Sequence, residues 1–485
     1  MQNNESLLSL DELLKAVGGV FIGFDKNREN FCFTSVVTDS RNVKPLSLFV
    51  PLVGQNQDGH IYVEKAIESG ATVIFINKNE YESNSDKYMQ LASNNLSVSF
   101  ISVFNTMTAL QNAAAAYVAK FPKLIKVGIT GSSGKTTTKE MVVSVLKQKY
   151  NVVYTQGNFN SETGLPLSVF NIRPEHEVGV FEMGMNRKNE IGEISAVLKA
   201  KYALVTNIGT AHIGILGSRK NIALEKRKIF KYIPQDGIAF IPDADDFKLF
   251  LGENVLGSIT YYGESVPSEQ SGAVFVKDLG LDGTIFTLDG VEIHLKNAGM
   301  YNYRNALGAC AIGKALNVTP TQIKAGLENM DSVSGRMEIK SITLKNGQEV
   351  SLIKDCYNAN PDSMSSVLDF CKTIQNVQNK YLVLGDMLEL GEKSEEEHKR
   401  VVKKACEVPG AILILVGKEM SYGYKECSAS GFNNVLYFSE HNDESIKKIA
   451  SELLNKTTKG DLILIKASRG IALERIISLI QEEEA

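Results

Sequence analysis

A glycine-rich turn carries the strongest signal for phosphate chemistry in this sequence: Gly131-Ser-Ser-Gly134-Lys135-Thr136. It lies between an apolar run, LIKVGIT, and a helical pattern, TTTKEMVVSVLKQKY, which is the strand–loop–helix context that a phosphate loop requires. Glycines let backbone N–H groups curl around phosphate oxygens, and the N-terminus of the helix adds its positive dipole. We therefore predict that ATP is bound by Gly131, Ser132, Ser133, Gly134, Lys135, Thr136 and Thr137.

The turn departs from the usual phosphate-loop spacing at its first position. The pattern G-x-x-x-x-G-K-[ST] needs a glycine at position 129, where Ile129 stands. We interpret Ile129 as the strand residue before a shorter Thr-Gly-x-x-Gly-Lys-Thr turn. In that turn Lys135 would reach the outer phosphates and the Thr136 hydroxyl could ligate Mg²⁺. An ordinary Gly/Ser-rich strand-to-helix turn is the alternative interpretation.

Two further strands end in residues that suit a divalent metal. Glu182 ends VGVFEMG, and His212 lies just past ALVTNIG. In a parallel sheet the carboxyl ends of the strands share one crevice with the phosphate loop. A carboxylate and an imidazole there could each hold a divalent metal near the γ-phosphate. Taken separately, Glu182 could instead cap a helix, and His212 could be a buried hydrogen-bonding residue.

The elements that must position these residues alternate between strands and helices, which predicts an α/β protein of three domains. Residues 1–105 are expected to form a small α/β domain, and residues 106–330 a central P-loop-type ATPase domain with a parallel sheet. Residues 331–485 are expected to form a Rossmann-like α/β domain. Residues 255–297, which include SITYYG, look like an antiparallel insertion.

Composition excludes several classes of protein. The formal net charge of -4 gives no reason to expect nucleic-acid binding, which needs a basic surplus. Six scattered cysteines without a Cys-x-x-Cys pair argue against a disulfide framework or a zinc site and suit a reducing cytoplasm. No apolar run reaches roughly 18 residues, and the N-terminus lacks the basic and apolar regions of a signal peptide. A monomer is the default expectation.

Several separate motifs occur in the order in which the Mur ligases of peptidoglycan synthesis carry them. They are TGSSGKTTT, GNFNSETGLPLSV, EMGMNRKNEIGEIS and TNIGTAHIGILGS, followed by NYRNAL and SGRME. DCYNANPDSM and VLGDMLELGEKSEEEH most resemble the branch that joins D-alanyl-D-alanine to UDP-N-acetylmuramoyl-tripeptide. Together with TDSRNVKP, the resemblance covers essentially the whole chain. It implies a cytoplasmic enzyme that uses ATP, two Mg²⁺ ions and these two substrates.

The resemblance also implies which residues bind the substrates. Ser40 and Arg41, in TDSR, would help to hold the uridine diphosphate, and Asn158 and Asn160 would line the path of the muramoyl-peptide. The segment Tyr357–Pro361, which contains Asn358 and Asn360, and the segment Asp386-Met-Leu-Glu-Leu would shape the dipeptide pocket. Both segments could equally make ordinary turns.

For the nucleotide, the resemblance implies a second set of contacts. Asn302 and Asn305 match a segment near the adenine, where Tyr301 replaces the usual histidine. Arg336 resembles the arginine that reaches the ATP phosphates after domain closure. Asp355 matches the acid beside the ribose hydroxyls, and Cys356 takes a place often held by another acid.

Lys226, in IALEKRKIF, matches the lysine that Mur ligases carry as a carbamate. Carbon dioxide on the amine would turn a cation into an oxygen ligand for Mg²⁺, and the neighbouring Arg227-Lys228 could lower its pKa and favour the reactive neutral amine. A solvated lysine on a helix is the alternative. The implied metal ligands are Thr136, Glu182, His212 and carbamylated Lys226.

The implied reaction moves the γ-phosphoryl group onto the carboxylate of the tripeptide, and the amine of the dipeptide then attacks the acyl phosphate. No protein nucleophile is needed. Other functions remain open: another Mur-type amide ligase, a folylpolyglutamate synthase relative, a P-loop NTPase that couples hydrolysis to movement, or a non-catalytic remnant. The residues expected to carry the chemistry are Lys135, Glu182, His212, Lys226 and Arg336.

Overall fold

The computed structural model describes residues 6–54, 57–331 and 333–482. Three large sheets of five, six and six strands follow one another along this part of the chain, and a sheet of three strands lies between the second and third in sequence. Of the helices in the described residues, none combines the length and apolar character that a membrane span needs. The domain limits at residues 105 and 330 stay predictions.

The first sheet has the strand order β1-β5-β4-β3-β2, with β1 antiparallel to β5 and the other pairs parallel. Its first helix begins at a capping box, in which Ser9 and Glu12 bond each other's backbone, and ends at Gly18 with φ 60°. The elements are α1 (Leu10–Val17), β1 (Val20–Ile22), α2 (Asp25–Glu29), β2 (Ser35–Val37), β3 (Ser47–Phe49), α3 (Val63–Glu68), β4 (Ala71–Asn77), α4 (Lys78–Ser83), α5 (Ser85–Asn94), β5 (Ser99–Val103) and α6 (Thr106–Ala119).

The second sheet is parallel throughout and has the order β11-β10-β9-β6-β8-β7. Its elements, with the small sheet and two closing helices, are β6 (Ile125–Thr130), α7 (Lys135–Leu146), β7 (Val152–Tyr154), α8 (Gly164–Val169), β8 (Val178–Glu182), α9 (Glu190–Leu198), β9 (Tyr202–Val205), α10 (Ile213–Leu216), α11 (Arg219–Arg227), β10 (Ile238–Pro242), α12 (Lys248–Gly252), β11 (Ser258–Tyr262), α13 (Ser268–Ser271), β12 (Ala273–Asp278), β13 (Thr284–Leu288), β14 (Val291–Leu295), α14 (Met300–Ala315) and α15 (Pro320–Glu328).

Both faces of the second sheet are buried, which explains why its strands are apolar without alternation. Val127 and Ile129 of β6 pack in a core cluster with α7 and α14. Ala203 and Val205 of β9 pack in a different cluster, with α6 and α9. Helices therefore cover the sheet on two sides, and the carboxyl ends of its strands meet along one edge.

The segment from 255 to 297 differs from the prediction. Strands β12, β13 and β14 form the expected antiparallel sheet, but Ser258–Tyr262 (β11) pairs in parallel with β10 at the edge of the second sheet. Assigning SITYYG to the insertion was therefore wrong. An edge strand of a parallel sheet, half-exposed and rich in β-branched and aromatic residues, has the same composition as an antiparallel strand.

The third sheet is mixed, with the order β15-β16-β20-β17-β18-β19, and only its edge strand β15 runs antiparallel. Its elements are β15 (Glu338–Thr343), β16 (Glu349–Asp355), α16 (Pro361–Thr373), β17 (Lys380–Gly385), α17 (Ser394–Cys406), β18 (Ala411–Val416), α18 (Met420–Ala429), β19 (Val435–Phe438), α19 (Asp443–Lys456), β20 (Leu462–Lys466) and α20 (Arg475–Ile480). The predicted α/β unit is therefore present, and the antiparallel edge strand β15 makes its sheet mixed.

The third-sheet unit contacts the loops at the carboxyl edge of the second sheet. Thr210, after β9, donates from its backbone N and its Oγ1 to Asp362 Oδ2 at 2.5 and 2.8 Å. Nearby, Asn360 Nδ2 donates to Ser133 Oγ at 3.2 Å. These contacts bring residues from the two units around one cavity.

Candidate active site

The glycines of the phosphate loop (Gly131–Thr136) are required by its backbone path. Gly131 has φ 156° and Gly134 has φ 77°. A Cβ atom on Gly131 would overlap Thr206 Oγ1, and one on Gly134 would come within 2.6 Å of Asn305 Oδ1. Only glycine fits at both positions, and helix α7 begins directly afterwards at Lys135. The interpretation of Ile129 as a buried strand residue before the turn is confirmed.

The end of β9 holds this loop in place. Ser133 N donates to Asn207 Oδ1 at 3.1 Å, and Thr206 Oγ1 donates to the carbonyl of Ser133 at 2.6 Å. Ser132 N in turn donates to the carbonyl of Asn207 at 3.1 Å. Neither Thr206 nor Asn207 was singled out from the sequence, although both lie in the motif TNIGTAH, because nothing local shows which turn they would meet.

Two lysines converge behind the loop. Lys135 Nζ and Lys226 Nζ donate to the same carbonyl, that of Gly131, at 3.0 and 2.8 Å. Burial lowers the pKa of Lys135, against the opposing effect of Glu182, and burial together with Lys135 lowers the pKa of Lys226 far below its usual range. Lys226 is only 1% exposed, so the alternative of a solvated lysine is wrong. Each amine therefore disfavours the charge on the other, although Glu182 and Glu225 oppose this effect, and an incoming anion would relieve the repulsion.

Glu182 accepts hydrogen bonds from two other predicted site residues. Thr136 Oγ1 donates to Glu182 Oε2 at 2.8 Å, and Asn160 Nδ2 donates to Glu182 Oε1 at 2.6 Å. The carboxylate is therefore turned toward the phosphate loop, and its contacts are not those of a helix cap. Each of its oxygens keeps a further lone pair for a cation.

His212 faces an acid from the third-sheet unit. Its backbone lies in the left-handed region with φ 64°, and its Nδ1 lies 2.9 Å from Glu389 Oε2. The contact with His212 lowers the pKa of Glu389. His212 Nδ1 makes no hydrogen bond among the described residues, so the contact with Glu389 does not fix the tautomer, and either ring nitrogen could offer a lone pair to a metal. Glu389 belongs to a motif that was predicted to shape the dipeptide pocket, and its contact with His212 was not foreseen.

A main cavity of about 590 Å³ brings most of the predicted residues together. It lies between the phosphate loop, the carboxyl ends of the central strands and the start of the third-sheet unit. The predicted residues that line it are Ser132, Ser133, Gly134, Lys135, Thr137, Asn158, Asn160, Glu182, His212, Asn302, Asn305, Arg336, Asp355, Asn358 and Asn360.

One side of this cavity carries polar groups that suit a nucleotide. Asp355 Oδ1 accepts from Met337 N at 3.2 Å, and its Oδ2 pairs with the buried ammonium of Lys466. The Tyr301 hydroxyl is buried without a hydrogen-bond partner among the described residues; burial, and then the charge of Asp355, raise its pKa well above the usual range. Cys356 instead donates its thiol to the carbonyl of Ile465 at 3.2 Å and lines neither cavity.

Arg336 lies against an aromatic ring and makes no ion pair within the part of the chain that the structure describes. Its guanidinium carbon is 3.9 Å from the centroid of Tyr357, and its Nε is buried without a hydrogen-bond partner among the described residues. The same ring lies 5.3 Å from the guanidinium carbon of Arg469. A cation held this way at the wall of a cavity is placed to meet a phosphate.

A second cavity of about 240 Å³ adjoins the main one. Asn358 and Asn360 line both, and Asn360 also caps α16 by accepting from Ser363 N at 2.9 Å. Of the motif Asp386–Leu390, residues Leu388 to Leu390 line the second cavity. Asp386 points elsewhere and accepts from Met420 N at 2.8 Å, so it supports the start of α18.

Ser40 and Arg41 lie apart from the other predicted residues. Ser40 is buried, and the exposed Arg41 pairs with Asp39 at 2.6 Å. Neither lines the main or the second cavity, so their assignment to the uridine diphosphate stays a prediction.

The donor set near the loop fits a magnesium ion that arrives with phosphates. Among the described residues, no three His, Cys, Asp or Glu side chains converge to hold a metal by themselves. Mg²⁺ in nucleotide sites uses one or two carboxylates together with phosphate oxygens. Glu182 and the adjacent Thr136 hydroxyl meet that sparse requirement, and His212 lines the same cavity as Glu182.

Three Mur ligase families match the chain in succession. Residues 33–118 match the Mur ligase family, catalytic domain, and residues 129–313 match the Mur ligase middle domain. Residues 335–469 match the Mur ligase, glutamate ligase domain. The three matches fall on the regions that contain the three large sheets.

Named relatives are similar over nearly the full length. The chain is 38% identical over 480 residues to the UDP-N-acetylmuramoyl-tripeptide--D-alanyl-D-alanine ligase of Treponema pallidum, covering 98% of this chain and 100% of that protein. It is 34% identical over 463 residues to the enzyme of the same name from Bacillus subtilis, covering 91% and 92%.

Solved structures share the whole architecture. A crystal structure of MurF from Acinetobacter baumannii has a TM-score of 0.81 at 26% identity and covers 97% of this chain and 98% of its own. The MurF ligase of Thermotoga maritima, solved in complex with ADP, has a TM-score of 0.75 at 25% identity and covers 92% and 96%.

Proposed function

The chain belongs to the Mur ligase family, and we propose that it is the ATP-dependent ligase that joins D-alanyl-D-alanine to UDP-N-acetylmuramoyl-tripeptide. The product is UDP-N-acetylmuramoyl-pentapeptide, a precursor of peptidoglycan. The full-length relatives that carry this activity in their names support the assignment. The predicted family and the three-domain α/β fold are confirmed by the same comparisons.

The main cavity supports the chemical part of the proposal. The main cavity joins the phosphate loop and Lys135 of the central unit to Arg336 and Asp355 of the third-sheet unit. Phosphoryl transfer depends mainly on alignment and on neutralising the phosphate oxygens. Cations from two units around one cavity meet that need once the units are docked, and ADP bound to the Thermotoga maritima relative supports ATP as the nucleotide.

The reaction activates a carboxylate that would otherwise be inert toward an amine. The γ-phosphoryl group passes from ATP to a carboxylate oxygen of the tripeptide, giving ADP and an acyl phosphate. The amine of the dipeptide attacks the acyl carbon, the carbon–oxygen bond to phosphate breaks, and the amine proton is lost to solvent or a base. Lys135 and Arg336 stabilise the charge on the moving phosphoryl group. No protein nucleophile takes part.

Magnesium and a modified lysine complete the proposal. When bound, Mg²⁺ supplies positive charge at the phosphate oxygens. Thr136, Glu182 and His212 would hold it, and Lys226 would do so as a carbamate. The lowered pKa of Lys226 supports this modification because only the neutral amine reacts with carbon dioxide. Lys226 lies against the carbonyl of Gly131, close to the phosphates it would serve.

The docked units support a role in keeping water away. Thr210 binds Asp362, and Ser133 binds Asn360, at the edge of the main cavity. An acyl phosphate reacts readily with water, so exclusion of solvent protects it until the amine arrives.

The remaining assignments are parts of the same proposal. Ser40 and Arg41 would hold the uridine diphosphate, while Asn158 and Asn160 would line the path of the muramoyl-tripeptide. The enzyme would act as a monomer in the cytoplasm. A folylpolyglutamate synthase from Mycobacterium tuberculosis has a TM-score of 0.60 at 15% identity, which shows a shared fold and does not favour that activity.

Purified protein with ATP, Mg²⁺, UDP-N-acetylmuramoyl-tripeptide and D-alanyl-D-alanine tests the proposal. We expect mass spectrometry to show the pentapeptide and an equal amount of phosphate, and neither without the dipeptide. Phosphate release whose rate does not depend on either peptide substrate would indicate a hydrolase. A product with a single amino acid in place of the dipeptide would indicate another Mur-type ligase, and an inert protein would indicate a non-catalytic remnant.

A further inference from the structure

Some of the residues that line the second cavity also line the main cavity, and others line the second cavity alone. Ser132, Lys135 and His212 line both, so the two spaces meet where the outer phosphates of ATP would lie. The second cavity alone is lined by Leu388, Ser468 and Arg469. A molecule that fills it therefore has one end at the site of phosphoryl transfer and the rest against the third-sheet unit.

Arg469 differs from most other arginines of the described chain. Eight of them pair with a carboxylate, as Arg475 does with Asp443, and Arg173 donates to backbone carbonyls. Arg336 and Arg469 have no such partner among the described residues, and both lie against the ring of Tyr357. An exposed guanidinium without an anion, beside a cavity, is suited to bind one.

The two arginines without a carboxylate partner line different cavities. Arg336 lines only the main cavity, Arg469 lines only the second, and Tyr357 lines both. The main cavity holds the phosphate loop, so Arg336 faces the nucleotide. The anion that Arg469 binds therefore belongs to a different substrate, the dipeptide whose amine attacks the acyl phosphate.

The other residues that line the second cavity indicate the chemistry of that substrate. Ala211, Ala359 and Leu390 contribute small or apolar surface, which suits methyl side chains. Glu389 lines the same space with its carboxylate beside His212. An acid there attracts an amine and repels a carboxylate, so the charges orient a short peptide with its amine toward His212 and its carboxylate toward Arg469.

We propose that Arg469 binds the terminal carboxylate of the dipeptide in the second cavity and so selects an amine substrate that ends in a free acid. Tyr357 acts as a positioning residue that holds the guanidinium. This assignment rests on the proposed ligase function and adds the residue that recognises the far end of its second substrate.

Two dipeptides and two variants test the assignment. The wild-type enzyme is assayed with D-alanyl-D-alanine and with D-alanyl-D-alaninamide, which lacks the charged carboxylate. We expect wild-type kcat/KM to favour the acid on the order of 10- to 100-fold, as for a charge-assisted hydrogen bond. Arg469→Gln should remove this preference by raising the KM for the acid, while kcat/KM for the amide and the KM for ATP stay the same. Arg469→Lys should keep part of the preference.

The outcomes separate the possible roles of Arg469. Equal losses with both dipeptides would show that it only supports the fold, and a raised KM for ATP would assign it to the nucleotide; either overturns the proposal. Arg400→Gln, on the surface of α17 and paired with Glu397, is the matched control and should leave all constants unchanged. If the wild-type enzyme ligates both dipeptides with equal kcat/KM, the role of Arg469 is overturned and the ligase function stands. A wild-type enzyme that makes no product would overturn the ligase function itself.

Discussion

The two sides of the main cavity are held in different ways. The phosphate loop is fixed by bonds within the central unit, where Thr206 and Asn207 bind Ser133. The opposite side, with Arg336 and Asp355, belongs to the third-sheet unit and faces the loop through a few contacts across the junction. The loop side is a binding site that the central unit could keep alone, and the other side faces the nucleotide only while the units are docked. Changes on the two sides should therefore have different kinetic effects.

The largest effect is expected on the loop side. Lys135→Ala removes the ammonium that faces the phosphates, so we expect kcat to fall on the order of 100- to 1000-fold. Binding of UDP-N-acetylmuramoyl-tripeptide, measured by calorimetry, should stay nearly the same. Lys220→Ala, an exposed lysine on α11, is the control. Loss of both turnover and binding of the UDP-sugar peptide would show that the loop was assigned to the wrong substrate.

A smaller effect is expected for the cation on the docked side. Arg336→Gln keeps much of the length of the side chain but loses the charge, and we expect kcat to fall about 10- to 100-fold. The Kd for ATP should change much less, because the loop still holds the nucleotide. Arg336→Lys keeps the charge without the planar stacking on Tyr357 and should recover part of the rate. An equal loss in ATP affinity and rate would remove the distinction between the two sides.

The contact across the junction should give the smallest change in rate and a different signature. Asp362→Ala removes the acceptor for both bonds from Thr210, and we expect kcat to fall roughly 10-fold. Because solvent reaches the acyl phosphate more often, phosphate release should exceed pentapeptide formation. Asp369→Asn is the control, since Asp369 lies on the exposed face of the same helix and pairs with Lys404. In this variant the ratio of released phosphate to pentapeptide should stay at one. A ratio of one in Asp362→Ala would contradict a role for this contact in excluding water.

The same contrast explains how much of the site could be predicted from the sequence. The phosphate loop is local, since its strand, glycines and helix follow one another between 125 and 146. Glu182 and His212 could be added because the ends of parallel strands meet at one edge. The family resemblance supplied Arg336 and Asp355, and both line the main cavity together with residues of the phosphate loop.

The partners that are distant in sequence could not be predicted. Glu389 of the third-sheet unit meets His212 of the central unit, and Lys466 meets Asp355 although 111 residues separate them. Such pairs depend on how strands and units come together in the folded protein, and neither spacing nor periodicity records that. Arg469 was missed for a similar reason, because its significance lies in the absence of a carboxylate partner among the described residues.

An isotope experiment tests whether the enzyme transfers the phosphoryl group to a carboxylate before the amide bond forms. UDP-N-acetylmuramoyl-tripeptide with ¹⁸O in its terminal carboxylate is turned over with ATP and D-alanyl-D-alanine, and the released phosphate is analysed by mass spectrometry. The acyl phosphate route predicts one ¹⁸O atom in each phosphate from labelled substrate, in equal amount with the pentapeptide. Phosphate without ¹⁸O would mean that water attacks ATP directly and would contradict the acyl phosphate route.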